Sequence, residues 1–517
     1  MPRARAALDA SFTTAPVPRR LFGSFVEHMG RCVYTGIYEP DHATADADGL
    51  RSDVLDLVRE VGPTIVRYPG GNFVSGYDWE DGVGPVADRP RRIDRAWRTV
   101  ETNAFGLDEF SRWADKAGTE TMYAVNLGTR GLQEACDLVE YANHPGGTRF
   151  SDLRRSHGRE QPYGIEWWCL GNEMDGPWQT GHKTALEYAR LAGETARAMK
   201  QVDPSVKLVA CGSSSRAMPT FGEWERVVLE ECYDDVDLVS AHAYYEESET
   251  TPLADFLASA VDMDLFIDSV AATADAVGAK KKSAKKIGIS FDEWNVWNQT
   301  AWNTSERAAG RTEWDVAPRV IEDTYSVTDA VVVGTLLNSL LRHGDRVLVG
   351  CQAQLVNVIG LLRSEPGGAA WKQPIALPFQ EMRNRALDGT ILEVRTTSEK
   401  YSAGRYGDVD LVDVSAVTHD DGRVTAFVAN RSLDEAADVE VALGGFGPLV
   451  PGEALVLAAT DGQDRWATNT AEAPDAVRLR PLSGVVVDAP ERPGGAAVAR
   501  FQLPPLSWAV VELVPAS

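Results

Sequence analysis

Eight short, β-prone apolar runs recur between residues 18 and 385, and stretches with helical spacing separate most of them. The runs are Phe22–Met29, Thr64–Tyr68, Thr121–Asn126, Gly164–Leu170, Val206–Ala210, Val236–Ala241, Ile287–Phe291 and Val347–Val356. The helical stretches are Arg51–Val61, Leu107–Ala117, Leu132–Tyr141, Thr184–Gln201, Leu265–Val277 and Ser326–Arg342. Strands that alternate with helices form parallel sheets, because each crossover must carry the chain back to the same edge. Eight such units predict an α/β fold, a closed (β/α)8 TIM barrel. The long insertions fall mainly after strands, at 30–50, 71–105, 143–160, 244–255 and 297–325. That is the face on which barrels of this kind carry their active sites.

The rhythm changes beyond residue 386. Leu411–Val417, Val424–Ala429, Val439–Leu443, Leu455–Leu457 and Trp508–Leu513 are short strand-like runs between Gly, Pro and Asp turns. They predict an all-β sandwich, jelly-roll-like, to which the alternating N-terminal stretch lends a strand. The expected division is residues 18–385 for the barrel and residues 1–17 with 386–517 for the sandwich.

Charge and composition narrow the function. A net charge of −25 opposes a nucleic-acid partner, since phosphate binding rests on basic surface. It equally opposes anionic membranes. The first twenty residues hold no apolar core of about 7–15 residues, so no secretion signal is read there, and no run of about 18 apolar residues marks a membrane span. Six scattered cysteines, none in CxxC spacing, predict reduced thiols and a cytoplasmic location. No histidine has ligand spacing, so no metal is inferred. The lysine-rich run Lys280–Lys286 reads as a solvated helix end.

Two of the apolar runs end in glutamates. Trp167-Trp168-Cys169-Leu170-Gly171-Asn172 leads into Glu173, and Ile287-Gly288-Ile289-Ser290-Phe291-Asp292 leads into Glu293. Carboxylates delivered by the fourth and seventh strands of a barrel face each other across its mouth. A glycosidic bond breaks through an oxocarbenium-like transition state, which needs one protonated carboxyl and one ionised one. Carboxyl groups about 5–5.5 Å apart retain anomeric configuration, and groups about 6.5–9.5 Å apart invert it. Asn172, beside Glu173, has an amide suited to a sugar 2-hydroxyl.

Gly23-Ser24-Phe25-Val26-Glu27-His28, Arg67-Tyr68-Pro69-Gly70-Gly71-Asn72-Phe73, the Leu170–Gln179 stretch, Asp292–Trp297 and Ala353–Asn357 together resemble the signature blocks of the family 51 α-L-arabinofuranosidases. The resemblance implies an exo-acting, retaining glycoside hydrolase that removes terminal arabinofuranosyl residues from arabinan- or arabinoxylan-derived oligosaccharides. It also implies no cofactor and a homo-oligomer, a hexamer. Position by position it makes Glu173 the acid/base and Glu293 the nucleophile. It gives Glu27, Asn72, Asn172, Tyr244 and Gln354 to the sugar hydroxyls, and has His242 support Glu293. Trp297 walls the sugar pocket and Trp97 contacts the leaving side. β-Xylosidase or endo-β-glucanase specificity on the same fold, and a non-catalytic carbohydrate-binding protein, remain the alternatives.

Overall fold

The computed structural model describes residues 2–306, 313–460, 464–490, 492 and 495–516. Positions 307–312 of the expected 297–325 insertion therefore lie outside the described residues.

Eight parallel strands close into a barrel: β1 (Gly23–Phe25), β2 (Ile65–Tyr68), β3 (Glu120–Val125), β4 (Trp167–Leu170), β5 (Lys207–Ala210), β6 (Leu238–Tyr245), β7 (Gly288–Val296) and β8 (Val347–Gln352). Alternation along each strand sorts side chains to two sides. Met122, Ala124, Trp167, Cys169, Val209, Val349 and Cys351 fill the barrel interior. Tyr123, Val125, Trp168, Leu170, Leu208, Val239 and Ile289 point outward into the layer shared with the helices.

Each strand is followed by a helix. Six of these agree with the sequence expectation to within a few residues, the largest difference being Ser259–Lys281, which is longer at both ends. Two were not read from the sequence. Glu223–Cys232, after β5, buries Trp224, Val228, Leu229 and Cys232, but Glu223, Glu225, Glu230 and Glu231 dilute its apolar stripe. Ala376–Ala386, after β8, carries Pro378 in its first turn, where a missing N–H costs nothing.

The C-terminal region is sheet-rich. Its five-stranded sheet runs Arg395–Ser398, Arg3–Asp9, Ala437–Gly444, Ala497–Leu503, Val486–Asp488. A seven-stranded sheet contains Thr13–Pro16, Thr390–Leu392, Val412–Thr418, Val424–Asn430 and Ser507–Pro515 among its members. The N-terminal stretch thus supplies two strands, one to each sheet, where the sequence suggested one. Between the sheets lie Ala4, Ala6, Leu8, Val414, Val428, Val439 and Val511.

The other face of the seven-stranded sheet rests on helix Val327–Arg342. Phe427 and Trp508 join the barrel's outer core there. Asn338 Nδ2 donates to Asp413 at 2.7 Å, and Arg342 pairs with the same carboxylate at 3.0 Å. The Lys280–Lys286 run closes the C-terminal end of helix Ser259–Lys281, with Lys280 paired to Glu230 at 2.7 Å. Among the described residues, no helix is long and apolar enough to cross a membrane.

Candidate active site

The site is built where β4 and β7 end. Beyond Leu170 the chain turns sharply: Gly171 has φ +88° and Glu173 φ +44°. Positive φ at a non-glycine residue is uncommon and here aims the Glu173 carboxyl at the barrel mouth. β7 uses a different device. Ser240 pairs with Ser290 and His242 with Glu293, so β7 spends one residue more than β6 over the same span. The same surplus appears against β8, between Phe291 and Trp294. This bulge breaks alternation, and the adjacent Asp292 and Glu293 both turn away from the outer layer that holds Phe291 and Trp294.

The two glutamates face each other. One carboxylate oxygen of Glu173, one of Glu293 and a ring nitrogen of His242 lie within 4.8 Å of one another. Glu293 Oε1 accepts from Arg67 at 2.7 Å, and Oε2 accepts from the Tyr244 hydroxyl at 2.8 Å. Glu173 Oε2 accepts from the Trp178 indole at 2.7 Å, and Oε1 lies 3.0 Å from His242 Nδ1. A second guanidinium nitrogen of Arg67 donates to Asn172 Oδ1 at 2.7 Å. Asn172 Nδ2 reaches Asn72 Oδ1 at 3.4 Å. Gly71 lets the loop after β2 come this close, for a Cβ there would stand 3.1 Å from Glu293 Oε1.

A second group gathers on Glu27, just past β1. Its Oε1 accepts from the Phe73 backbone at 3.0 Å and the Trp97 indole at 2.8 Å, and its Oε2 from Gln354 at 3.1 Å. The Trp297 ring meets Tyr244 edge-on at 5.1 Å. All ten residues singled out in the sequence therefore belong to one constellation. Glu173, Glu293, Glu27, Asn72, Tyr244, Trp297, Gln354 and Trp97 line a cleft of about 440 Å³, and Trp178, Ser214, Met218 and Trp302 continue its wall. Asn172 and His242, 1% and 2% exposed, stand behind that lining. His242 reaches both glutamates. Its shorter contact is to Glu173, with Glu293 Oε2 at 3.7 Å, and its Nε2 lies 2.9 Å from Asp292.

Electrostatics follow from burial and pairing. Burial pulls the His242 imidazolium down, but Glu293, Asp292 and Glu173 together push it up to about 10. Asp292 is held below the usual carboxylate range: burial raises it, yet Arg67, His242 and Ser290 outweigh that. Burial pushes Glu27 up to about 8, against the N–H bonds from Phe73 and Trp97 and with help from nearby Glu293. Arg67 and His242 thus set two cationic groups against the carboxyls of Asp292, Glu173 and Glu293 at the base of the cleft.

Sequence reasoning assigned no part to Arg67, Asp292 or Trp178. Arg67 carried a signal, being the one charge within the buried strand Ile65–Tyr68. Trp178 and Asp292 lay inside quoted stretches, but nothing in the order of residues shows which oxygens they reach.

Comparison with known proteins agrees with this geometry. Residues 57–261 match the family described as "Alpha-L-arabinofuranosidase 1 domain", and residues 292–507 the "Alpha-L-arabinofuranosidase C-terminal domain". The chain is 56% identical to a Streptomyces lividans protein named intracellular exo-α-(1→5)-L-arabinofuranosidase, over 98% of this chain and 75% of that protein. It is 50% identical to a Bifidobacterium longum exo-α-(1→6)-L-arabinofuranosidase, over 98% and 97%. The solved structure of a family 51 α-L-arabinofuranosidase from Bifidobacterium longum superposes with a TM-score of 0.92 at 45% identity, over 99% of both chains.

Proposed function

This chain belongs to the family 51 α-L-arabinofuranosidases and is an exo-acting enzyme of that activity, and from that premise we propose the following parts for its residues. Glu293 is the nucleophile. Arg67 and Tyr244 hold both its oxygens and fix its direction. It attacks the anomeric carbon and forms a glycosyl-enzyme ester. Glu173 is the acid/base: it protonates the departing oxygen, then takes a proton from the water that cleaves the ester. The observation that carries this reading is the approach of the two carboxylates, one oxygen of each lying within 4.8 Å of the other, nearer than the separation of about 6.5–9.5 Å that inversion needs for its intervening water.

Glu27, Asn72, Tyr244 and Gln354, which line the cleft, hold the arabinofuranosyl hydroxyls, Asn172 reaches one of them from its buried place beside Asn72, and Trp297 walls the ring. His242 serves this site from behind the cleft lining. Gln354 Oε1, buried without a partner, supports a hydroxyl donor in that position. Trp97 lies toward the leaving side. The substrates are terminal arabinofuranosyl residues on arabinan- and arabinoxylan-derived oligosaccharides. The enzyme works in the cytoplasm as a homo-oligomer, a hexamer, apart from nucleic acid and membrane. Light scattering tests the assembly.

The decisive experiment compares Glu173→Ala on nitrophenyl and oligosaccharide arabinofuranosides. An activated leaving group needs little protonation, so the variant retains activity on the nitrophenyl substrate and loses it on the oligosaccharide. Equal losses on both would remove the acid assignment. Release of nitrophenol from the β-xyloside at a matching rate would favour the alternative specificity.

A further inference from the structure

Asp292 is 1% exposed, faces the barrel interior and does not line the cleft. A carboxylate is costly to bury unless it is paired and hydrogen-bonded. Its Oδ2 accepts from Ser290 Oγ at 3.1 Å and lies 3.7 Å from Cys169 Sγ, with Arg67 Nε 3.9 Å away. Its Oδ1 faces His242 Nε2 at 2.9 Å. The opposite ring nitrogen, Nδ1, faces Glu173 Oε1 at 3.0 Å. The bulge in β7 creates this line, because regular alternation would send either Asp292 or Glu293 to the outer layer.

We propose that Asp292 is a positioning residue for the leaving-group proton: through His242 it reserves Glu173 Oε1 as an acceptor and leaves the transferable proton on Oε2. The proposal rests on Glu173 being the acid/base. An ionised Asp292 fixes a proton on His242 Nε2. The neighbouring carboxylates favour a second proton on Nδ1, which then donates to Glu173 Oε1. Oε2 accepts the neutral Trp178 indole N–H at 2.7 Å on one lone pair, and with the cationic donor held on Oε1 it is left to hold the proton that passes to the departing oxygen as the glycosidic bond breaks. Without Asp292, the imidazole becomes neutral more readily. Its Nδ1 then accepts, and draws the Glu173 proton to Oε1, away from the substrate. The groups facing His242 are Glu173 from the β4 loop and Asp292 and Glu293 from β7. Arg67 of β2 stands behind Asp292, Tyr244 follows on the same strand, and Asp175 is the next carboxylate on the β4 loop.

Asp292→Asn in the full chain tests this. kcat/KM on an arabinofuranosyl oligosaccharide should fall on the order of 100-fold, and on the nitrophenyl glycoside by less than about tenfold. The alkaline limb of the oligosaccharide pH profile should move to lower pH, since His242 loses its proton earlier. If Asp292→Asn misfolds, His242→Gln decides by the same substrate ratio, because a neutral amide at that position cannot serve as the cation. Equal losses on both substrates with an unmoved pH profile would overturn the proposal. Glu173→Ala, measured alongside, separates the two readings: failure of its leaving-group selectivity removes the acid assignment, whereas selectivity there but not in Asp292→Asn removes only the positioning role.

Discussion

Tyr244 donates its hydroxyl proton to Glu293 Oε2 at 2.8 Å, from a strand position two residues beyond the histidine that pairs in register with Glu293. Tyr244→Phe keeps the ring against Trp297 and removes only the donor. A hydrogen bond to a charged group contributes about 1.5–3 kcal/mol. If the bond steers the nucleophile, kcat falls about 10–100-fold with KM nearly unchanged. Steady-state kinetics on the nitrophenyl glycoside reads this directly, and an unchanged kcat would remove the hydroxyl from the reaction.

Arg67 spans Glu293 and Asn172 with two nitrogens of one planar group. Lysine offers a single point charge and cannot bridge both. Arg67→Lys should therefore lower kcat/KM by at least about 100-fold and also lower the melting temperature, because Asn172 Oδ1 is left buried without its donor. A variant with normal melting and normal kinetics would contradict the bridging role.

Glu27 gives stability a definite pH slope. Burial first, then Glu293, raises it from 4.5 to about 8. The folded chain thus holds a proton there that the unfolded chain has released between these values. The contribution is complete below 4.5 and is lost as pH rises through 8. Glu27→Gln carries no such proton. Its melting temperature should fall less than that of the wild type between pH 5 and 8.5, a difference of a few kcal/mol at about 1.4 kcal/mol per unit. His242 slopes the same way and is present in both proteins, so the comparison isolates Glu27. Parallel melting curves would mean that Glu27 is ionised in the fold.

The barrel was legible because its strands are buried on both sides and read as continuous apolar runs, as in Trp167–Leu170. Glu173 and Glu293 stood out for the same reason, as charges that end such runs. The β7 bulge was not legible. Asp292 and Glu293 read as the end of the seventh strand, whereas the strand continues to Val296. Extra residues of this kind show only in the register of neighbouring strands. Of the two hydrogen bonds on Glu173, the one from Trp178 is local, but the one with His242 comes from a strand 69 residues away, which no local pattern encodes. The N-terminal alternation suggested one lent strand because Phe12, at the turn between the two actual strands, is apolar although it is exposed.

The seam between helix Val327–Arg342 and the seven-stranded sheet offers a test of packing away from the chemistry. A Cβ on Gly334 would stand 2.3 Å from Trp508 Cδ1. Trp508 is fully buried and stacked on Phe427 at 6.1 Å, so it has no free direction in which to yield. Two effects oppose each other in Gly334→Ala. Alanine gains about 1 kcal/mol of helix propensity over glycine. Overpacking a filled core costs about 1–3 kcal/mol. The contact lies far below any tolerable Cβ distance, so the overpacking term wins and the melting temperature falls. Gly334→Leu should fall further, while kinetics at a temperature where both variants are folded stay close to wild type. A rise in melting temperature for Gly334→Ala would mean that the sheet moves freely on the helix, and that the two layers are joined by the Asn338 and Arg342 bonds to Asp413 rather than by close packing.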